Sequence, residues 1–202
     1  MGSGIYVALS GAKAESNHLE VIANNLANIS TIGFRTDDLI FSSLLAKDAE
    51  KAGVKGSLPA EAEIMPNMDH SSLARMNNFV QIVAGKTDFS QGRFIKTEDP
   101  LNMAIQGEGF FVVQDKEGNK YYTRDGAFHL NEELELTHSS GDLVLDENEA
   151  PIRLDLSKDF EVKSDGRIIQ DGKELSKIAV VKFTEVDALQ KKGHSQFINT
   201  KP

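Results

Sequence analysis

Residues 4–35 read GIYVALSGAKAESNHLEVIANNLANISTIGFR, and they constrain this chain more than any other stretch. Apolar side chains fall at Ile5, Ala12, Leu19 and Leu26, seven apart. A second series, Ala8, Ile22 and Ile29, follows three residues after members of the first. Such a seam marks an α-helix with one apolar stripe, broken here only by the charge at Glu15. Over roughly 25 residues the helix would be a rod of about 37 Å at 1.5 Å per residue. The rest of the chain carries almost no comparable helical pattern, so the stripe must be buried against something of another kind. Two readings stand open: a helix that heads a globular domain, or a helix that associates with other subunits.

From residue 79 onward the pattern changes to short β-rich runs separated by turn formers. Expected strands are residues 79–84, 92–96, 101–106, 110–114, 120–124, 127–130, 134–137 and 143–145. A hairpin is expected about Asp165-Gly166, and a last strand over 178–183. Asp115-Lys116-Glu117-Gly118-Asn119 has the composition of a hairpin loop. Phe110 and Phe111 are adjacent in one run, so they should face opposite sides of a sheet, one into the core and one toward a second layer or a partner. Between helix and strands, residues 37–49 suit either a short helix or a packed extended stretch. Residues 50–78, with Gly53, Gly56, Pro59 and Pro66, read as a long connection laid over a surface or locally disordered. The expected fold is thus mainly β with a long N-terminal α-helix, the β part forming a compact sandwich- or barrel-like domain. Its divisions are 1–36 (helix), 37–78 (linking segment) and 79–202 (β-domain).

Composition narrows the chemistry. There are 22 Lys and Arg against 31 Asp and Glu, a formal net charge of -9. That charge, with no basic cluster carrying interleaved aromatics, argues against nucleic acid as a partner. Cysteine is absent, which excludes disulfides, cysteine-based zinc sites and cysteine nucleophiles. No apolar run reaches the ~20 residues of a membrane span. The N-terminus shows no basic region followed by an apolar core, so no cleavable secretory signal is expected. The five histidines, His18, His70, His129, His138 and His194, never recur at i+3 or i+4, and ordinary core or surface roles are expected for them. Ser10-Gly11 lacks the frame of a nucleophile elbow, and Gly107-x-Gly109 lacks the third glycine and following helix of a phosphate loop. No catalytic residue, metal site or cofactor is expected. Plentiful carboxylates, as at Asp146, Glu147 and Glu149, leave open a glycan-binding or glycan-cleaving β-domain as the alternative.

Four blocks together resemble one family. Ala23-Asn24-Asn25-Leu26-Ala27-Asn28 with Thr31, Gly33, Phe34 and Arg35 resembles the N-terminal signature of the bacterial flagellar rod and hook proteins. Residues 99–113, DPLNMAIQGEGFFVV, residues 122–128, YTRDGAF, and residues 178–183 with Ala188-Leu189-Gln190 and Gly193 resemble its later blocks in order. With its Gly4-Ile5-Tyr6 start, the chain is most similar to the proximal rod members. The resemblance implies a structural, non-enzymatic subunit of the basal-body rod that transmits torque from motor to hook. Its implied partners are other rod and hook subunits and the flagellar type III export apparatus, and its implied place is the periplasm-spanning rod. Ile5, Leu19, Ile22, Asn24, Asn25, Leu26, Asn28, Gly33 and Phe34 are the expected assembly residues. Gly33 is expected to need positive φ where the helix stops. Family members close with a second long helix that pairs with the first. The chain stops at Lys201-Pro202, and truncation is the favoured expectation.

Overall fold

A computed structural model describes residues 3–44 and 79–200; the connection read at 50–78 lies outside the described residues. The chain divides into two compact units. One holds residues 1–27 and 37–87, the other residues 28–36 and 88–202.

The first unit contains α1 (Ser3–Ala27) and an antiparallel pair, β1 (Asp37–Leu44) and β2 (Phe79–Thr87). Register runs from Asp37 opposite Thr87 to Leu44 opposite Phe79, with a bulge between Ile40 and Phe41. Of the two readings open for residues 37–49, residues 37–44 take the extended one. Residues 79–84, grouped by sequence with the β-domain, pair with β1, so the second unit resumes at Asp88. α1 has no acidic residue in its first turn and no basic one in its last. With its macrodipole uncompensated, the helix depends on packing for stability.

The second unit is built on an antiparallel sheet whose spine is β3 (Phe110–Gln114). β4 (Lys120–Thr123), β7 (Leu143–Val144) and β11 (Val180–Val181) all pair with β3. β6 (Leu136–Thr137) and β5 (His129–Leu130) extend the sheet on one side. β13 (Gln196–Asn199) and β12 (Leu189–Gly193) extend it on the other. β8 (Phe160–Val162), β9 (Arg167–Gln170) and β10 (Lys173–Lys177) make a separate three-stranded sheet, with Asp165-Gly166 in the turn between β8 and β9 as expected.

β3 is a continuous apolar run because both of its faces are covered. Phe111 and Val113 enter one cluster with Phe128, Leu136, Val144, Leu154 and Ile168. Phe110 enters another with Leu189 and Phe197. Phe110 stands edge-on to Phe89, Phe183 and Phe197 at 5.7–5.8 Å between centroids, a favourable quadrupole arrangement. The adjacent phenylalanines therefore do serve two layers.

Residues 92–96 and 101–106 are not strands. Residues 91–100 are exposed throughout. After Pro100, the Asp99 carboxylate accepts the Leu101 N–H at 2.9 Å and turns the chain, leaving a single bridge from Asn102 to Ala127. β12 and β13, in contrast, escaped the sequence reading. Their turn places His194 and Ser195 at φ 50° and 55°, the positive values a primed hairpin turn demands, without the Asn-Gly or Asp-Gly that normally announces it.

Candidate assembly site

α1 carries two stripes, and they face different surroundings. The expected seam lies in water: Leu19 is 58% exposed, Ile22 47%, Leu26 65%, and Ile29, just beyond the helix, 77%. The side chain of Ile5 lies outside the described residues. The shielded stripe is Gly11, Ala14, His18, Val21 and Asn25, of which Ala14 is buried and the others are half-buried. Each of these residues stands one position before a seam position, a rotation of about 100° around the helix. Within its own unit the helix lies against β1 and β2. The shielded stripe is mostly small or polar, with Val21 its one large aliphatic residue, while Leu9, Leu19, Ile22 and Leu26 are exposed.

The asparagines have distinct surroundings. Asn25 binds both backbone groups of Asp37: its Nδ2 donates to the carbonyl at 2.9 Å, and its Oδ1 accepts the N–H at 3.1 Å. It thereby fixes the first residue of β1 to the helix. Asn24 is exposed. Asn28 opens the turn after the helix, where its carbonyl accepts Thr31 N–H at 3.0 Å and its Oδ1 accepts the Thr31 hydroxyl at 3.3 Å.

Gly33 has φ +69°, as expected, but the helix has already ended at Ala27, so helix termination is not the reason. The reason is close approach. A Cβ at Gly33 would stand 2.4 Å from the Asp125 nitrogen. Around it, Ser195 Oγ donates to the Ile32 carbonyl at 3.1 Å and Lys191 Nζ donates to the Arg35 carbonyl at 2.5 Å. The Lys191 ammonium also sits 4.6 Å from the Phe34 ring centroid. The Thr31–Arg35 block is thus fitted onto the backbone of the Tyr122–Phe128 block. Sequence placed Gly33 and Phe34 with the seam; the fold places them in the second unit.

Sequence reading missed a buried polar network beside this junction. Thr123 Oγ1 donates to the Ser195 carbonyl at 2.9 Å and accepts Asp125 N–H at 3.0 Å. His138, fully buried, holds Nε2 3.3 Å from Asp125 Oδ2, out of line for a hydrogen bond. Its Nδ1 lies 2.8 Å from Ser140 Oγ and accepts the Ser140 backbone N–H at 3.2 Å. Ser140 Oγ donates to Asp142 Oδ2 at 2.7 Å, and Gln196 Nε2 donates to the same carboxylate at 2.5 Å. Ser, His and Asp therefore meet, yet not as a nucleophile and base. The imidazole lone pair at Nδ1 is occupied by a backbone amide, and the hydroxyl proton is committed to Asp142. A fixed Nδ1 acceptor assigns the ring proton to Nε2, toward Asp125. Among the described residues no group of three or more His, Asp or Glu is placed to hold a metal.

Two family models match the chain. The flagella basal body rod protein model covers residues 5–35, and the flagellar hook protein FlgE/F/G D1 domain model covers residues 104–170. The flagellar basal-body rod protein FlgF of Caulobacter vibrioides is 31% identical over 99% of this chain and 74% of its own length. FlgF of Rhizobium meliloti is 32% identical over 99% of the chain and 71% of its own length. The flagellar basal-body rod protein FlgG of Buchnera aphidicola subsp. Baizongia pistaciae is 36% identical over 69% of the chain. The matched region spans about half, 51%, of that relative. A glycan-binding or glycan-cleaving β-domain finds no support among these relatives.

Proposed function

The chain belongs to the bacterial flagellar basal-body rod protein family, and from that premise we propose that it is a structural subunit that polymerises in the rod and carries torque from motor to hook. One observation carries the reading: the seam of Leu19, Ile22 and Leu26 is in water although a second stripe of the same helix is shielded. A helix stabilised by its own unit through Ala14 and Asn25 keeps its aliphatic face for other subunits. Each such side chain, fully buried, contributes about 1.5–3 kcal/mol. Ile5, Leu19, Ile22 and Leu26 form that interface in this proposal, with Asn24 at its polar margin. Asn25, Asn28, Gly33 and Phe34 support it from within the subunit. Other rod and hook subunits are the partners in this proposal, and the flagellar type III export apparatus delivers the chain to the periplasm-spanning rod. The role is mechanical, with no catalysis: the Ser140, His138 and Asp125 contacts serve packing.

Leu19→Asp tests this. The monomer's melting temperature is expected to stay within about 1–2 °C of wild type, since an exposed substitution away from special features changes stability by at most ~0.5 kcal/mol. Incorporation into basal bodies, and swimming, should be lost, because a buried seam would leave a desolvated carboxylate. A variant that melts early yet incorporates normally would show that the seam serves the monomer alone.

A further inference from the structure

The sequence pattern predicts a strand at residues 92–96, and the second unit gives that stretch no partner. Residues 91–100 are exposed throughout, with Phe94 at 50% and Ile95 at 74%. Among the described residues, nothing hydrogen-bonds to the backbone of residues 93–96. Arg93-Phe94-Ile95-Lys96 therefore keeps strand-forming side chains together with free backbone donors and acceptors.

The same unit holds a strand edge with the converse property. β8 closes one end of the three-stranded sheet and pairs with β9 alone among the described strands. The residues flanking β8 both bond toward β9. The Asp159 carbonyl accepts the Asp171 N–H at 3.1 Å, and the Lys163 N–H donates to the Arg167 carbonyl at 2.8 Å. Bonds of an antiparallel ladder recur at alternate residues, so Glu161 also turns its backbone toward β9. The N–H and C=O of Phe160 and Val162 point the other way, to the open edge. The side chains of Phe160 and Val162 pack against the core, which holds that edge in place.

We propose that residues 93–96 of one copy of this chain add as an antiparallel strand to the β8 edge of a second copy. What one copy leaves over selects that occupant: a strand without an edge, and an edge without a strand, each supplying the backbone groups the other lacks. Local side chains agree. With Ile95 opposite Phe160, both outward-bonding residues of β8 fall in hydrogen-bonded pairs, and Lys96 falls opposite the exposed Asp159. Strand and edge are different surfaces, so the contact repeats from copy to copy, as in a polymer. The occupant rests on the assembling-subunit reading of the proposed function.

A fluorescent peptide of residues 90–98, titrated with the full 202-residue chain, tests the edge. Its anisotropy should rise saturably. The same peptide carrying Ile95→Pro lacks the N–H that Phe160 would accept, and it should bind at least about tenfold more weakly. In the chain, Val162→Pro removes an N–H that the sheet leaves unused, so it should weaken peptide binding to the same degree and keep the fold. Should that variant not fold, the two peptides against the wild-type chain decide. No binding, or equal binding of both peptides, overturns the edge. Sedimentation velocity then tests the second copy. Ile95→Pro in the full chain should move the self-association midpoint about tenfold higher in protein concentration and leave melting unchanged, since residue 95 is exposed. Self-association that is absent, or indifferent to this substitution, overturns the second copy as occupant. Failure of the rod reading would appear separately, as normal incorporation of Leu19→Asp in a chain that still binds the peptide.

Discussion

Gly33 shows what a single residue contributes here and how much of it a sequence discloses. That a glycine belongs at this position was legible from the positive φ expected after a helix. Its physical cause was not, because the contact is with the backbone of Arg124 and Asp125, far along the chain. Gly33→Ala meets both a strained φ and a 2.4 Å clash. It should destabilise the second unit by about 1–3 kcal/mol in urea unfolding, and wild-type stability would show that the backbones separate easily. Asp115 offers a second residue-scale test. Its carboxylate accepts the Asn119 side chain and N–H, the Tyr121 hydroxyl and the Glu117 N–H, bonds that hold its pKa down to about 2. In the unfolded chain it protonates near ~3.9. Its stabilisation is therefore complete above about pH 4 and fades as pH falls through about 2. Asp115→Asn should melt earlier than wild type at neutral pH, and the gap should close across that acidic window. A gap independent of pH would place the effect outside the titration of this carboxylate.

Among elements, the long helix was legible because its heptad spacing persists over many turns. Which stripe meets its own unit was not, because Gly11, Ala14, His18, Val21 and Asn25 hold a single large apolar side chain among them, a weaker hydrophobic signal than the seam's. Central strands such as β3 were legible for the opposite reason: an uninterrupted apolar run has few alternatives. The β12–β13 hairpin was hidden by Lys191, Lys192 and a turn without Asn-Gly, yet it completes the sheet. β13 pairs Gln196 and Phe197 with Thr123 and Tyr122, and Phe197 is 1% exposed. Ending the β-domain at Phe183, where the sequence reading placed its last strand, would remove this core residue and the contacts of Lys191 and Ser195 to residues 32–35. A chain of residues 28–183 should lose cooperative thermal unfolding, whereas residues 28–200 should keep it. Losing a buried phenylalanine alone costs about 3–5 kcal/mol. Two equally sharp transitions would show that the hairpin is an appendage.

At the scale of the whole molecule, family membership was legible because four blocks resemble those of the family in order, and the second unit brings two of them together. The block after the helix and the block at Tyr122–Phe128 form one contact surface, so neither has a physical meaning alone. The helix adds a different constraint. Its two stripes lie one residue apart, so their roles depend on the count of residues between them and the anchor at Asn25. One residue inserted after Ala23 would carry Leu19 and Ile22 to the places held by His18 and Val21. The aliphatic side chains would then turn onto β1 and β2, and polar ones would turn outward. Seven inserted residues, close to two full turns, would restore the arrangement to within about 20°. The single insertion should abolish incorporation and the sevenfold one should largely spare it, as basal-body yields would show; equal yields would mean that phase around the axis is not read. Under the proposed assembly, length variation in this helix would be quantised. Growth in whole heptads would be tolerated, and a one-residue slip would exchange the exposed seam for the stripe that lies against β1 and β2.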